Sequence, residues 1–362
     1  MLMENKKLNI AVIGQGRSGR DIHGLFFKSE SNTVVDVKYV VERDPERRVR
    51  AEAEYPGCKA LQSVEELYVI KGIDLVVNAS YSEDHYQVTY DLLSHGFNVV
   101  VEKPFARNRY ECDTLIALAK EKGVTLAVFQ QTFLAPIYKE TVKVIESGKL
   151  GDIKQISIRY NGLSRRWDWQ TLQCKMAGSV YNTGPHPIGI GLGLIGFNPD
   201  ARVIYSKLDC ALTSGDAEDY ATIILGAKSG PVVDLEISSI DAYSDYNIKL
   251  QGTLGTYKCT TAECKMKYIT PGENPERPVI FESLKDENGY PMYCGEQLIT
   301  HEEAYKFDGS AFDTAVKAFY EMVYKKIVNG EPMEVTPEMA AQIISVIEQT
   351  HAENPLPVKY HL

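Results

Sequence analysis

Apolar and polar positions follow two different rhythms along this chain. Through the first 131 residues, short apolar runs at 8–13, 34–41, 73–79, 97–101 and 124–129 alternate with helix-like stretches, notably those ending at Phe27 and those at 64–68, 85–95 and 111–122. Asp44 followed by Pro45 reads as a helix start. Gly96 and Gly123 read as helix ends. Apolar strands alternating with amphipathic helices predict a parallel, doubly wound α/β sheet.

From residue 132 the rhythm changes. A helix is predicted at 136–147, then a half-buried strand at 153–160, where apolar and polar residues alternate. Further strands are expected at 202–210, 220–225, 232–238, 246–251, 256–260 and 265–269. Several adjoin Gly or Pro turns, which favours a mostly antiparallel sheet. Residues 270–293, rich in Pro, Gly and charge, read as a long excursion, and helices at 312–328 and 337–350 follow, the second capped by Thr336. The predicted domains are 1–131 and 132–362, with the last helix able to pack back on the first domain.

Composition narrows the class. The 362 residues suit about two domains. Hydrophobic residues make up 44% and charged residues 24%, as in an ordinary soluble protein. The net charge of -10 disfavours nucleic acid and anionic membranes. Arg47, Arg48 and Arg50, set among Glu46, Glu52 and Glu54, read as a solvated helix face. No window approaches the roughly 20 apolar residues of a membrane helix, and the N-terminus does not read as a signal peptide. Seven scattered cysteines without a CxxC pair point to reduced thiols in a cytoplasmic protein and to no metal site.

The sequence GQGRSG, Gly14 to Gly19, follows the first strand and opens a helix, and Glu42 ends the second strand. This is the context in which a glycine motif binds a dinucleotide. Gly14 permits the turn, Gly16 admits a pyrophosphate, and Gly19 lets helix and strand approach. The free N–H groups at the helix start, with Gln15, Arg17 and Ser18 in the loop, face the phosphates. Glu42 can accept the adenosine ribose hydroxyls and favours NAD. Arg43 beside it can instead receive a 2′-phosphate, so NADP stays open. Flavin and S-adenosylmethionine folds share the glycine logic.

In an open parallel sheet, ligands bind beyond the carboxyl ends of the strands. Glu102, Lys103 and Pro104 stand there, after the strand at 97–101. Lys103 can reach the nicotinamide end and stabilise negative charge on a substrate oxygen. The plain alternative is a solvated lysine paired with Glu102. The glycine loop, the acid Glu42, HYQVTYDLLSHGFNVVVEKPF and the later GPH together resemble the Gfo/Idh/MocA oxidoreductases, the glucose-fructose oxidoreductase and inositol dehydrogenase-like enzymes. The resemblance covers nearly the whole chain. It implies a Rossmann domain followed by an α/β domain with a large open sheet, contact of Lys103 with substrate and cofactor, and sheet faces paired in a homodimer or homotetramer.

His186 is the candidate for proton transfer, since histidine titrates near neutrality. The resembling family has Asp-x-x-x-His here, its histidine commonly the acid/base. Asn182 stands in place of the aspartate, and Gly189 where a second aspartate often follows. Asn182 retains hydrogen bonding to a substrate hydroxyl but carries no charge. Trp167 and Trp169, preceded by Arg165 and Arg166, can offer an aromatic face to a sugar ring and a cation to a carboxylate or phosphate; anchoring of the loop is the alternative. Ser80, with Asn78 and Tyr81, and His85 are placed to line the cofactor, and Gln131, with Gln130, the substrate. Near Gln131 the resembling family often has arginine, replaced here by Thr132 and Phe133.

These readings converge on an NAD(P)-dependent oxidoreductase that interconverts a secondary alcohol and a ketone on a sugar, cyclitol or related polyol. A non-catalytic dinucleotide-sensing regulator is the alternative on the same fold, and a methyltransferase is the alternative outside it.

Overall fold

The structure, a computed structural model, describes residues 6–361; residues 1–5, the start of the segment read above as no signal peptide, and residue 362 lie outside it. Strands β1 (Leu8–Ile13), β2 (Val35–Val41), β3 (Lys59–Leu61), β4 (Leu75–Asn78), β5 (Val99–Val101) and β6 (Leu126–Val128) form a sheet ordered β3-β2-β1-β4-β5-β6. All its pairings are parallel. Strand order reverses beside β1, so a crevice opens above the carboxyl ends of β1 and β4. Strands β4, β5 and β6 are buried throughout, which is why they read as unbroken apolar runs. The three-residue β3 was not foreseen, being too short to show a period.

The second sheet contains β7 (Ile153–Asn161), β8 (Arg202–Asp209), β9 (Tyr220–Gly226), β10 (Val232–Ser238), β11 (Ile248–Gly252), β12 (Gly255–Cys259) and β13 (Glu263–Tyr268). The excursion after β13 carries a small hairpin, β14 (Leu284–Lys285) and β15 (Pro291–Met292), and ends in β16 (His301–Lys306). The order is β16-β13-β12-β11-β7-β10-β9-β8. Only the β7–β10 pairing is parallel. Ile156, Ile158, Leu235, Leu250 and Tyr257 are buried on its inner side. The excursion therefore runs longer than expected. β16 escaped notice because its HEEAYK sequence has the charged character of an edge strand.

An unforeseen helix, Pro185–Leu194, carries His186. Its sequence lacks amphipathic period because it is buried nearly all round. At Gly189 a side chain would press on Phe133 and on Ile343. An aspartate there would be surrounded by apolar groups, which accounts for glycine at that position.

The chain ends return to the first sheet. Helix Thr314–Asn329 places Tyr320 against His23 and brings the Tyr324 hydroxyl to the Lys6 carbonyl at 3.3 Å. Helix Pro337–Glu353, capped by Thr336, packs on helix Arg109–Lys122, and the Arg109 N–H donates to Glu348 at 2.9 Å. Among the described residues, no helix is long and apolar enough to cross a membrane.

The tightest approach is in the glycine loop. Gly14 has φ +87°, and a side chain on Gly19 would collide with the Gly14 carbonyl oxygen. Gly19→Ala is therefore expected to cost about 1–3 kcal/mol of stability through overpacking, measured by urea denaturation.

Candidate active site

The glycine loop is closed from behind by Glu42. One carboxylate oxygen accepts the Gln15 N–H at 2.8 Å and the other the Asp44 N–H at 3.1 Å. Each oxygen keeps a further lone pair for a ribose hydroxyl. Arg48 donates to the carbonyls of Glu42 and Arg43 at 2.7 and 2.8 Å, and Arg50 to that of Gln15 at 3.2 Å. The basic cluster is thus not merely solvated: Arg48 and Arg50 hold the loop, while Arg47 lies 3.7 Å from Glu42. Arg43 and Arg17 are exposed, and Ser18 is half-buried. No protein atom lies within 4 Å of where a Gly16 side chain would begin, and the buried Gln15 Oε1 has no partner. An open cradle of this kind beside an orphaned acceptor fits a dinucleotide phosphate bridge.

Beyond β5, Glu102 is only 3% exposed. One of its oxygens accepts from His23 Nε2 at 3.0 Å and the other from the Lys103 backbone N–H at 3.0 Å. Burial pushes the Glu102 carboxyl up, but the hydrogen bond and charge of His23, with Lys103 and His85, outweigh it and hold it at about 2. On the far side of the imidazole, the Tyr320 hydroxyl meets His23 Nδ1 at 2.7 Å. His85 is buried, with Nδ1 2.7 Å from the Pro104 carbonyl and Nε2 3.3 Å from that of Ser80. Glu102 and His85, expected beside the cofactor, spend these polar atoms on the protein and fix the turn that carries Lys103. Ser80 is likewise tied, its hydroxyl donating to Asn78 at 2.7 Å.

Lys103 Nζ donates to the Asn182 carbonyl at 2.7 Å. Burial lowers its pKa; Glu102 opposes, while Arg17 and Arg166 add to the lowering. His186 Nδ1 lies 2.6 Å from the Thr132 hydroxyl. Burial and then the Lys103 charge press His186 down to about 3, so it is neutral at physiological pH. The Lys103 ammonium is thus bonded to the Asn182 carbonyl and near enough to His186, Arg17 and Arg166 for their charges to interact. The Asn182 carboxamide pairs with that of Gln170 at 3.4 Å rather than with Lys103 or His186. Gln131 is buried beside Thr132, and its carboxamide oxygen has no partner.

The two tryptophans divide. Trp169 packs edge-on to Tyr81 at 5.1 Å and anchors the loop, whereas Trp167 is 78% exposed. Arg166 borders the cavity with Gln170, Ser179 and Asn182, and pairs with Asp168 at 2.6 Å. Four contributors had not been identified: Thr132, His23, Tyr320 and Glu218. Glu218 is buried and accepts the Val180 N–H at 2.8 Å, steadying helix Ser179–Asn182, while His351 Nε2 lies 3.3 Å from its other oxygen. Thr132 was visible in sequence only as the residue replacing an arginine; the others carry no local signal.

Known proteins agree with this architecture. Residues 8–130 match the model of the oxidoreductase family with an NAD-binding Rossmann fold, and residues 142–352 match that family's C-terminal alpha/beta domain. The chain belongs to the Gfo/Idh/MocA oxidoreductase family. Oxidoreductase C26H5.09c of Schizosaccharomyces pombe is 26% identical over 278 residues, 75% of each chain. The scyllo-inositol 2-dehydrogenase (NADP(+)) IolU of Bacillus subtilis is 30% identical over 225 residues, 60% of this chain and 66% of its own. GenD2 from gentamicin A biosynthesis, solved in complex with NAD, superposes with a TM-score of 0.73 at 18% identity, covering 97% of this chain and 95% of its own. That likeness concerns the fold.

Burial pulls the His351 pKa down, but the Glu218 hydrogen bond and charge raise it above the ordinary value. Its stabilisation is then full below the unfolded pKa of about 6.5 and lost as pH rises through the higher folded value. The stability difference between wild type and His351→Asn, from urea denaturation, should be greatest below about pH 6.5 and shrink as pH rises above it.

Proposed function

We propose that this oxidoreductase is an NAD(P)-dependent dehydrogenase or reductase acting on a CH–OH group of a sugar, cyclitol or related polyol. The observation that carries this reading is the 2.7 Å bond from Lys103 Nζ to the carbonyl of Asn182, four residues before His186. It ties the amine at the end of β5 to helix Ser179–Asn182, which directly precedes the helix bearing the imidazole. Bound NAD(P) supplies the hydride acceptor or donor, and the glycine loop, Glu42 and Gln15 hold it; the Glu42 carboxylate favours NAD over the 2′-phosphate form.

In the oxidative direction Lys103 donates a hydrogen bond to the reacting oxygen and stabilises the negative charge that grows there. Neutral His186 takes the hydroxyl proton at Nε2 in the tautomer whose Nδ1–H donates to Thr132. A charged imidazolium beside Lys103 is disfavoured, so His186 passes the proton onward rather than storing it. Asn182, Gln131 and Trp167 are left for the substrate, and Arg166 supports acidic sugars as well as neutral polyols. The inositol dehydrogenase relatives and the retained Lys103 and His186 favour catalysis over the regulator reading; no feature of the cleft favours a methyltransferase.

The test is a panel of cyclitols, sugars and sugar acids with NAD and NADP, followed at the reduced-nicotinamide absorbance. Lys103→Ala is expected to lower kcat/KM by about 100-fold or more, with the Kd for cofactor changing less than about threefold by calorimetry. Thr132→Val should lower kcat by about tenfold and shift its pH profile, since the hydroxyl orients the proton carrier. Equal losses of turnover and cofactor binding in folded Lys103→Ala would contradict its place at the reacting carbon.

A further inference from the structure

The segment 162–178, between β7 and helix Ser179–Asn182, belongs to the second domain but reaches the first. Its two short helical turns, Trp169–Thr171 and Gln173–Lys175, are rooted in the second domain. The Thr171 carbonyl accepts the N–H groups of Asp216 and Ala217, each at 3.0 Å. The Gln173 backbone N–H donates to the Asp216 carboxylate at 3.0 Å, and its side-chain amide to the Asp216 carbonyl at 2.8 Å. Residues 163–168, ahead of this anchor, stand exposed.

Toward the first domain the segment makes one ring contact and one ion pair among the described residues. Trp169 meets Tyr81 edge-on at 5.1 Å, and Lys175 Nζ donates to Glu83 Oε1 at 2.8 Å. Tyr81 and Glu83 follow β4, at whose carboxyl end the crevice opens. Ala79, just before them, adjoins the glycine loop, since a side chain on Gly14 would collide with the Ala79 carbonyl oxygen. On its other side the segment reaches the residue that holds Lys103, because the Gln170 carboxamide pairs with that of Asn182 at 3.4 Å. It therefore bridges the rim of the nucleotide crevice and the wall facing Lys103.

The closed contact is balanced rather than permanent. The Lys175 and Glu83 side chains are 30% and 14% exposed, so their attraction is only partly screened by water. The second carboxylate oxygen of Glu83, however, is buried without a partner. A carboxylate oxygen deprived of both water and a donor is costly. The ion pair and the ring contact favour the shut form; the stranded oxygen favours the open one.

We propose that segment 162–178 is a latch on nucleotide exchange. Lys175 must leave Glu83, and Trp169 must leave Tyr81, before NAD(P) enters or departs. Segments that cover a site in this way commonly set the rate of release. The latch joins protein groups only, so it shuts over an empty or a filled crevice alike. Breaking it speeds entry and exit by the same factor and leaves affinity unchanged. The latch rests on the nucleotide site and not on the reaction proposed above.

The chain's two tryptophans, Trp167 and Trp169, both lie in this segment. Energy transfer from them to bound NADH or NADPH follows exchange without turnover. Stopped-flow mixing of the full chain gives the association rate, and a chase with excess oxidised nucleotide gives the dissociation rate. In Lys175→Met and in Glu83→Gln both rates are expected to rise about fivefold or more, with Kd within about twofold of wild type. Lys175→Arg, which keeps the ion pair, should exchange as slowly as wild type. Unchanged rates in Lys175→Met and Glu83→Gln overturn the proposal. So does faster exit alone with weakened affinity, the mark of a direct nucleotide contact, or Lys175→Arg exchanging as fast as Lys175→Met. A wild type that binds neither dinucleotide overturns the latch together with the nucleotide site. Latch-controlled exchange in a chain that oxidises and reduces nothing overturns only the reaction.

Discussion

One charged hydrogen bond joins the two halves of this molecule at the place where chemistry is expected. The ammonium of Lys103, at the end of a central parallel strand, donates to the carbonyl of Asn182 in the second domain at 2.7 Å. A lysine in a partly desolvated cleft needs an acceptor. Here the acceptor is neutral backbone rather than a carboxylate, so the charge is held in place but not quenched. It also adds to the burial that holds the neighbouring imidazole of His186 neutral.

Much of the surrounding core holds that ammonium in place. Glu102 grips the Lys103 backbone N–H with one oxygen and buried His23 with the other, and Tyr320 completes the series from a helix near the other end of the chain. His85 spans the carbonyls of Pro104 and Ser80 and fixes the turn from its other side. On the far wall, Glu218 and His351 steady helix Ser179–Asn182, whose last residue receives the lysine. Breaking one member of such a buried network leaves its partners unsatisfied, so the members stabilise geometry collectively.

What could be read from sequence was the local part. Glycine spacing, strand-end acids and the break at Glu102-Lys103-Pro104 are set by residues close together in the chain. The sheet topology followed from alternating apolar runs. The residues that orient Lys103 and His186 were hidden because their partners are remote: His23 and Glu102 are 79 positions apart, Thr132 and His186 54, and His23 and Tyr320 297. Helix Pro185–Leu194 was hidden for a different reason. Buried on most sides and rich in glycine, it shows no polar face. The edge strand His301–Lys306 was hidden by its charges, which serve its exposed position. Arg48 and Arg50 looked like surface charge because acids surround them in sequence, whereas in the fold they bind carbonyls of the nucleotide loop.

The most direct measurement is a crystal structure with NAD and a polyol or its ketone. Lys103 Nζ and His186 Nε2 are expected to lie within about 2.6–3.2 Å of the same ligand oxygen, with its carbon facing C4 of the nicotinamide ring. A nicotinamide ring seated elsewhere, or the two groups turned toward separate cavities, would contradict the assignment and leave only a protein that holds a dinucleotide.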